Sequence, residues 1–225
     1  MFWERLLQIL FPTRCVSCGR GGALLCEECR GGMPPLAKHL CVVCGKPALG
    51  GFTHPLCRTR FAPERALAGF AYRGPVKRLV KSLKYRGITG VAKILAELMA
   101  EDLEEREISF GRKALVVPVP LSFWRRSSRG FNQAALLGEA LAERLGLEFR
   151  EDLLKRVKDT PSQVSLGRRE RARNVKGAFS ADRLGGEDIV LVDDVLTTGA
   201  TAREAARALK KAGAGQVWVL TFSRD

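Results

Sequence analysis

Two sets of residues have the types and spacing for chemistry: a carboxylate pair trailed by hydroxyls, and a run of paired cysteines. Asp193 and Asp194 follow Ile189-Val190-Leu191-Val192 and precede Val195-Leu196-Thr197-Thr198-Gly199-Ala200-Thr201. Four consecutive apolar residues predict a buried central strand of a parallel sheet, ending at the acidic pair. The loop Leu196 to Thr201 then opens an Ala-rich helix, Ala202 to Lys211. Backbone N–H groups and the positive end of that helix favour a phosphate. Thr197, Thr198 and Thr201 add hydroxyl donors, and Gly199 lets the backbone approach closely. Asp193 and Asp194, the candidate catalytic residues, are acceptors suited to vicinal ribose hydroxyls, directly or through hydrated Mg2+. Helix capping alone would need one Asp or Thr, not this whole set. The stretch describes a site for a phosphorylated sugar.

All seven cysteines lie between Cys15 and Cys57, and six form Cys-x-x-Cys pairs: Cys15/Cys18, Cys26/Cys29 and Cys41/Cys44. A Cys-x-x-Cys turn offers two sulfurs to one tetrahedral metal, and two such turns complete it. Seven residues separate Cys18 from Cys26, a spacing suited to two knuckles facing across a short hairpin. Cys41/Cys44 begins a second unit with His54 and Cys57, in which imidazole would replace an eighth cysteine. A crossed pairing, with the first pair joined to the third, satisfies the same count. Closed ligand sets of this kind predict structural Zn2+, one or two per chain. A thioredoxin-like site needs one reactive pair and not three in succession.

The chain of 225 residues has room for one α/β domain and a smaller module, divided here as 1–60 and 61–225. No stretch approaches the ~20 apolar residues of a membrane span. Met1 to Phe11 carries charges of both signs and lacks a small-residue cleavage site, so a docking helix and a cytoplasmic protein are expected. A formal charge of +14 points to phosphorylated ligands or nucleic acid.

Further elements must position the acidic pair. Arg65 to Tyr72 reads as a strand, and Pro75 starts a helix with an apolar stripe of Val76, Leu79, Val80 and Leu83. Lys77, Arg78, Lys81 and Lys84 are expected on its remaining surface. The next helix, Val91 to about Glu107, turns acidic and reads as a solvent-facing cover. Ala114 to Pro120 is a further strand, ended by its prolines. The Arg/Ser-rich loop behind it supplies pyrophosphate candidates Arg125, Arg126 and Arg129, whose guanidinium forks suit phosphate oxygens. Lys155 to Asn174 is basic and poor in large apolar residues. It reads as a flap that closes over pyrophosphate and excludes water, with Lys158, Gln163, Arg169 and Arg173 as its candidate contacts.

The 189–201 stretch resembles the 5-phosphoribosyl-1-pyrophosphate (PRPP) signature of type I phosphoribosyltransferases. Nearly the whole chain resembles the ComF family, phosphoribosyltransferase-like proteins linked in bacteria to competence for DNA uptake. The matching features are the paired Cys-x-x-Cys units, Gly74 to Tyr85 ending in Leu83-Lys84-Tyr85, Pro118-Val119-Pro120 and Arg129-Gly130-Phe131-Asn132-Gln133. Gln163, Arg169 and Arg173 to Phe179 continue the match, and the signature closes it. Many relatives have a second Cys-x-x-Cys where this chain has Cys57 alone.

The resemblance implies an α/β type I phosphoribosyltransferase fold, a parallel sheet flanked by helices, behind a small zinc-ribbon-like module. It implies Mg2+ with PRPP as ligands and pentosyl transfer as the reaction. A non-catalytic protein of the same fold, binding single-stranded DNA or a DNA-translocating ATPase, is the alternative.

Overall fold

The computed structural model describes residues 13–159, 170 and 173–225. The expected opening helix at 1–11 and the flap candidates Gln163 and Arg169 lie outside the described residues.

In the cysteine-rich part, the short helix α1 (Glu27–Gly31) stands between two hairpin-like knuckles. Then follow β1 (Arg65–Ala71), α2 (Gly74–Tyr85), α3 (Val91–Glu105), β2 (Leu115–Pro118), α4 (Phe123–Arg129) and α5 (Gln133–Leu145). The remainder is β3 (Glu148–Phe149), β4 (Leu154–Arg156), β5 (Phe179–Ala181), β6 (Ile189–Leu196), α6 (Ala200–Ala212) and β7 (Val217–Arg224). Five strands form one parallel sheet in the order β1-β7-β6-β2-β3, while β4 and β5 pair antiparallel beside it.

A parallel sheet buried on both faces needs strands that are apolar on both sides. β6 meets that demand by alternation. Val190 and Val192 pack with Val76, Leu79, Leu95, Leu137 and Phe222 under α2, α3 and α5. Ile189 and Leu191 pack with Ala202, Ala205, Ala206 and Leu209 of α6 on the opposite face. α3 is a core helix, contrary to the expected solvent-facing cover. Val91, Leu95, Leu98, Met99 and Leu103 are buried, and only its acidic fringe faces outward.

The cysteine-rich part covers the β1 edge. Leu36 N–H donates to the Gly69 carbonyl at 2.9 Å, Ala71 N–H to Pro34 at 2.9 Å, and Thr53 N–H to Glu64 at 2.9 Å. An open edge is thereby capped from within the chain. Arg30 adds a two-pronged bond to Glu101 of α3, at 2.9 and 2.7 Å.

Phe222 is fully buried and stacks on Phe70, ring centroids 5.1 Å apart, tying β7 to the edge strand. Phe222→Ala is expected to cost about 3–5 kcal/mol of unfolding free energy, measured by denaturant titration.

Candidate active site and metal centres

Because the strands are parallel, their carboxyl ends share one rim, where open α/β sheets bind ligands. The residues just past four strands meet there: Tyr72 after β1, Val119 to Leu121 after β2, Thr197 after β6 and Asp225 after β7. They line a cavity of about 830 Å³ together with Lys84, Tyr85, Trp124, Arg125, Arg129, Arg156, Asp193, Asp194 and Thr201.

The acidic pair differs from expectation in one respect: β6 runs through both carboxylates to Leu196. Partner β2 ends at Pro118, opposite Val192, while β7 continues with Thr221 opposite Asp193 and Arg224 opposite Leu196. The pair is therefore supported from one side by backbone and open to the cavity on the other. Successive side chains leave a strand on opposite faces, so Asp194 enters the α2 side. There it is 3% exposed, and the Lys84 ammonium lies 2.8 Å from its Oδ2. Among the described residues the ammonium is the partner that compensates this oxygen's charge. Burial lowers Lys84, but Asp194 beside it outweighs this and holds the ammonium above its ordinary range. Asp193 keeps partial solvent contact and accepts the Asp194 N–H at 2.9 Å. Burial, and after it the Asp194 charge, raise the Asp193 carboxyl to about 7.

Past the strand, Gly199 caps α6 in the left-handed region at φ 73°, and the Thr198 hydroxyl accepts the Ala200 N–H at 3.4 Å. Of the predicted phosphate loop, Thr197 and Thr201 line the cavity. Leu196, Gly199 and Ala200 are buried behind it, and Thr198 is half-buried.

The arginines expected on a loop sit on a helix, α4. Asp159 Oδ1 accepts its first N–H, from Phe123, at 2.9 Å. The i,i+4 relation sends Arg125 and Arg129 to one face, and both line the cavity. Arg129 donates to Gln133 Oε1 at 2.8 Å and lies over the Tyr85 ring. Arg126 turns outward toward Glu151, 3.9 Å away. Lys158 and Arg173 are exposed and outside the cavity lining.

Sequence reasoning missed two cavity cations. Lys84 was grouped with Lys77, Arg78 and Lys81 as surface, yet it is turned inward. Its signal was the helical spacing from Val80 and Leu83 that puts it at the stripe's border. Arg156, at the end of β4, is held down by burial first and by nearby Arg125 second. It lies in the basic Lys155 to Asn174 segment expected to form a flap, but not among that segment's candidate contacts.

The metal sites pair sequentially, which resolves the open pairing. The ligand atoms of Cys15, Cys18, Cys26 and Cys29 lie within 4.8 Å of one another, as do those of Cys41, Cys44, His54 and Cys57. The two knuckles share one backbone plan. Gly19 N–H donates to Cys15 and Gly45 N–H to Cys41, both at 2.8 Å. Burial raises Cys15, but the amides of Cys26, Cys18 and Ser17 outweigh it and bring the thiol down to about 6. Cys41 is likewise brought to about 7 against burial, by the amides of Cys44, His54 and Val43. In the same two sets burial pushes Cys57 up. Against a Ser17 hydrogen bond, burial and its neighbouring thiols push Cys29 up as well. Metal binding displaces those protons, since thiolates are the metal-binding form. His54 Nε2 lies 2.9 Å from the Pro47 carbonyl, which makes it the donor and leaves Nδ1, 3.3 Å from Cys44 Sγ, for the metal. Both donor sets fit tetrahedral structural zinc.

Lys84→Met leaves the buried Asp194 carboxylate uncompensated and is expected to cost about 3–5 kcal/mol in denaturant unfolding. Adding Asp194→Leu should restore most of that loss, because the charge is then gone with its partner.

Comparison with known proteins accords with this architecture. The double zinc ribbon domain family matches residues 6–60, and the phosphoribosyl transferase domain family matches residues 131–224. The DNA utilization protein YhgH of Salmonella typhimurium is 34% identical over 92% of this chain and 87% of its own length. Competence protein F of Haemophilus influenzae is 32% identical over 68% of this chain and 69% of its own. Competence protein ComFC of Bacillus subtilis is 28% identical over 84% of this chain and 79% of its own. With its zinc ribbon ahead of a phosphoribosyl transferase domain, this chain belongs to the ComF family.

Proposed function

We propose that this protein binds PRPP with Mg2+ in the cavity at the sheet's carboxyl edge and acts in DNA uptake. The observation that carries this reading is the convergence of the Asp193/Asp194 pair, Thr197, Thr201 and the cations Lys84, Arg125, Arg129 and Arg156 on one cavity. In this reading Thr197 and Thr201, with the amides of the α6 N-terminus, hold the 5′-phosphate. Asp193 and Asp194 accept from the ribose hydroxyls. Arg125, Arg129 and Arg156 face the pyrophosphate, and their fixed charges stabilise the negative charge that grows as it leaves C1. Mg2+ supplies further neutralisation of that leaving group when bound.

Residues 1–60 are the zinc module and 61–225 the transferase-like unit. Lys158, Gln163, Arg169 and Arg173 belong to a flap that excludes water from the activated sugar. The reaction class is pentosyl transfer to a nucleophile. A cytoplasmic setting is part of this reading, and no helix among the described residues is long and apolar enough to cross a membrane. The competence and DNA utilization named in the relatives give the process, with a DNA-translocating ATPase as a partner.

Calorimetric titration tests the site. Mg2+-PRPP should bind with micromolar affinity, on the order of −8 kcal/mol, and Asp193→Asn/Asp194→Asn should abolish it. Unchanged affinity in the double variant would overturn the assignment. The raised Asp193 sets a pH dependence as well. A carboxyl raised to about 7 is the stronger acceptor, and the better partner of Mg2+, once ionised, so binding near neutrality releases protons and weakens as pH falls. Repeating the titration in buffers of different ionisation enthalpy reads that release directly.

A second reading rests on the aromatic rim. Trp124, Tyr85 and Phe123 are 72, 70 and 66% exposed beside the cavity arginines, a pattern suited to stacking the bases of single-stranded DNA. Trp124→Ala should weaken oligonucleotide binding by about 1–3 kcal/mol, with wild-type affinity falling steeply as salt rises. Salt-independent binding by fluorescence anisotropy would rule this reading out.

A further inference from the structure

The second metal knuckle reaches into the wall behind the phosphate loop. Val42, between Cys41 and Cys44, is 1% exposed and belongs to the same buried cluster as Leu196, Ala200 and Ala202. Gly199 lies directly against it. A Cβ at Gly199 would come within 2.6 Å of Val42 Cγ2 and 3.0 Å of the Val42 carbonyl oxygen. Polar contacts lock the same turn. Arg203, in the first turn of α6, donates from Nη1 to the Val43 carbonyl at 3.0 Å. Arg224, at the end of β7, donates to the Leu40 carbonyl at 3.3 Å.

The loop that turns β6 into α6 is therefore packed against a knuckle whose own shape depends on what joins Cys41 and Cys44 to His54 and Cys57. A tetrahedral metal fixes four ligand atoms at once. Without it, three thiols and an imidazole are free to move relative to one another, and the turn loses its link to His54 and Cys57.

We infer that Val42, Val43 and Arg203 are positioning residues, through which the second zinc knuckle sets the conformation of the 197–201 loop and hence its phosphate affinity. The inference rests on the reading of that loop as the PRPP phosphate site. The coupling is reciprocal by linkage: ligand in the loop should also raise the zinc affinity of the second site by the same factor. Zinc at Cys15/Cys18/Cys26/Cys29 has a different task, since Cys15 and Cys29 pack with α2 and α3 on the opposite face of the sheet.

Hydrogen–deuterium exchange of the 196–204 amides, zinc analysis and Mg2+-PRPP titration on the full chain test this. Cys57→Ser should retain one zinc, exchange the loop amides faster and bind PRPP about tenfold or more weakly. Arg203→Ala should retain two zinc ions yet show faster loop exchange, and Arg203→Lys, which keeps a donor, should restore it. Loop exchange unchanged in a one-zinc Cys57→Ser protein overturns the inference. If that variant fails to fold, unchanged exchange in two-zinc Arg203→Ala overturns it instead. Absence of PRPP binding to the wild type would defeat the phosphate-site reading, while the exchange comparison still decides the brace.

Discussion

A buried carboxylate at the carboxyl edge of a parallel sheet, on the cavity floor, is the constraint around which this molecule is arranged. Asp194 stands where an apolar residue would otherwise continue the Val190, Val192 row into the core beneath α2. A buried charge of that kind is tolerable only with a partner brought to it. α2 exists in its position to deliver one. Its Leu79, Val80 and Leu83 bury the helix against the sheet, and one residue further on Lys84 arrives at the ion pair. The cavity forms where this arrangement leaves the neighbouring Asp193 reachable from solvent. Stability and ligand recognition thus draw on the same two adjacent side chains.

Charge is distributed to match. The chain's +14 is not spread evenly: α3 carries Glu101 and Glu104 toward its outer side and Asp102 beside Gly69 of β1. Those acids are engaged locally, Glu101 by Arg30, Asp102 by Arg106 and Glu104 by Arg144. The cavity, in contrast, gathers Arg125, Arg129 and Arg156 around a floor of two carboxylates. Cations at the rim over acceptors at the floor suit a ligand that is itself polar in two ways, with anionic groups at its ends and hydroxyls between them.

What was legible in the sequence was whatever local pattern encodes. The β6–α6 unit shows as an apolar run, a glycine turn and an alanine-rich helix in unbroken order. The cysteine pairs declare their metals by spacing alone, and sequential pairing follows once each hairpin closes on itself. α4 was read as a loop because arginine and serine dominate it. Its helix is secured by Asp159, 36 residues from Phe123, which no local window contains. The acidic end of α3 hid a core helix for a related reason: its charges crowd the last turn, while most of the apolar residues that bury it lie in the first three. The helical spacing of Lys84 from Val80 and Leu83 hints at its inward turn, but its partner Asp194, the burial of Arg156 and the contact of Val42 with Gly199 each depend on which surfaces meet after folding.

The sheet order carries a consequence for biosynthesis. β1 is an edge strand whose sheet neighbour is β7, the last strand of the chain, and β7 separates it from β6. At translation speeds of about 5–20 residues per second, the stretch between Ala71 and Val217 takes roughly 7–30 s to emerge. Throughout that interval β1 has the ribbon on one side and nothing to pair with on the other. The metal-bound N-terminal unit is the part able to close early, since both ligand sets lie before β1. By hydrogen-bonding to Gly69 and Ala71 it can shield the strand while the ribosome finishes its partner. The ribbon would then serve the nascent chain as a built-in chaperone.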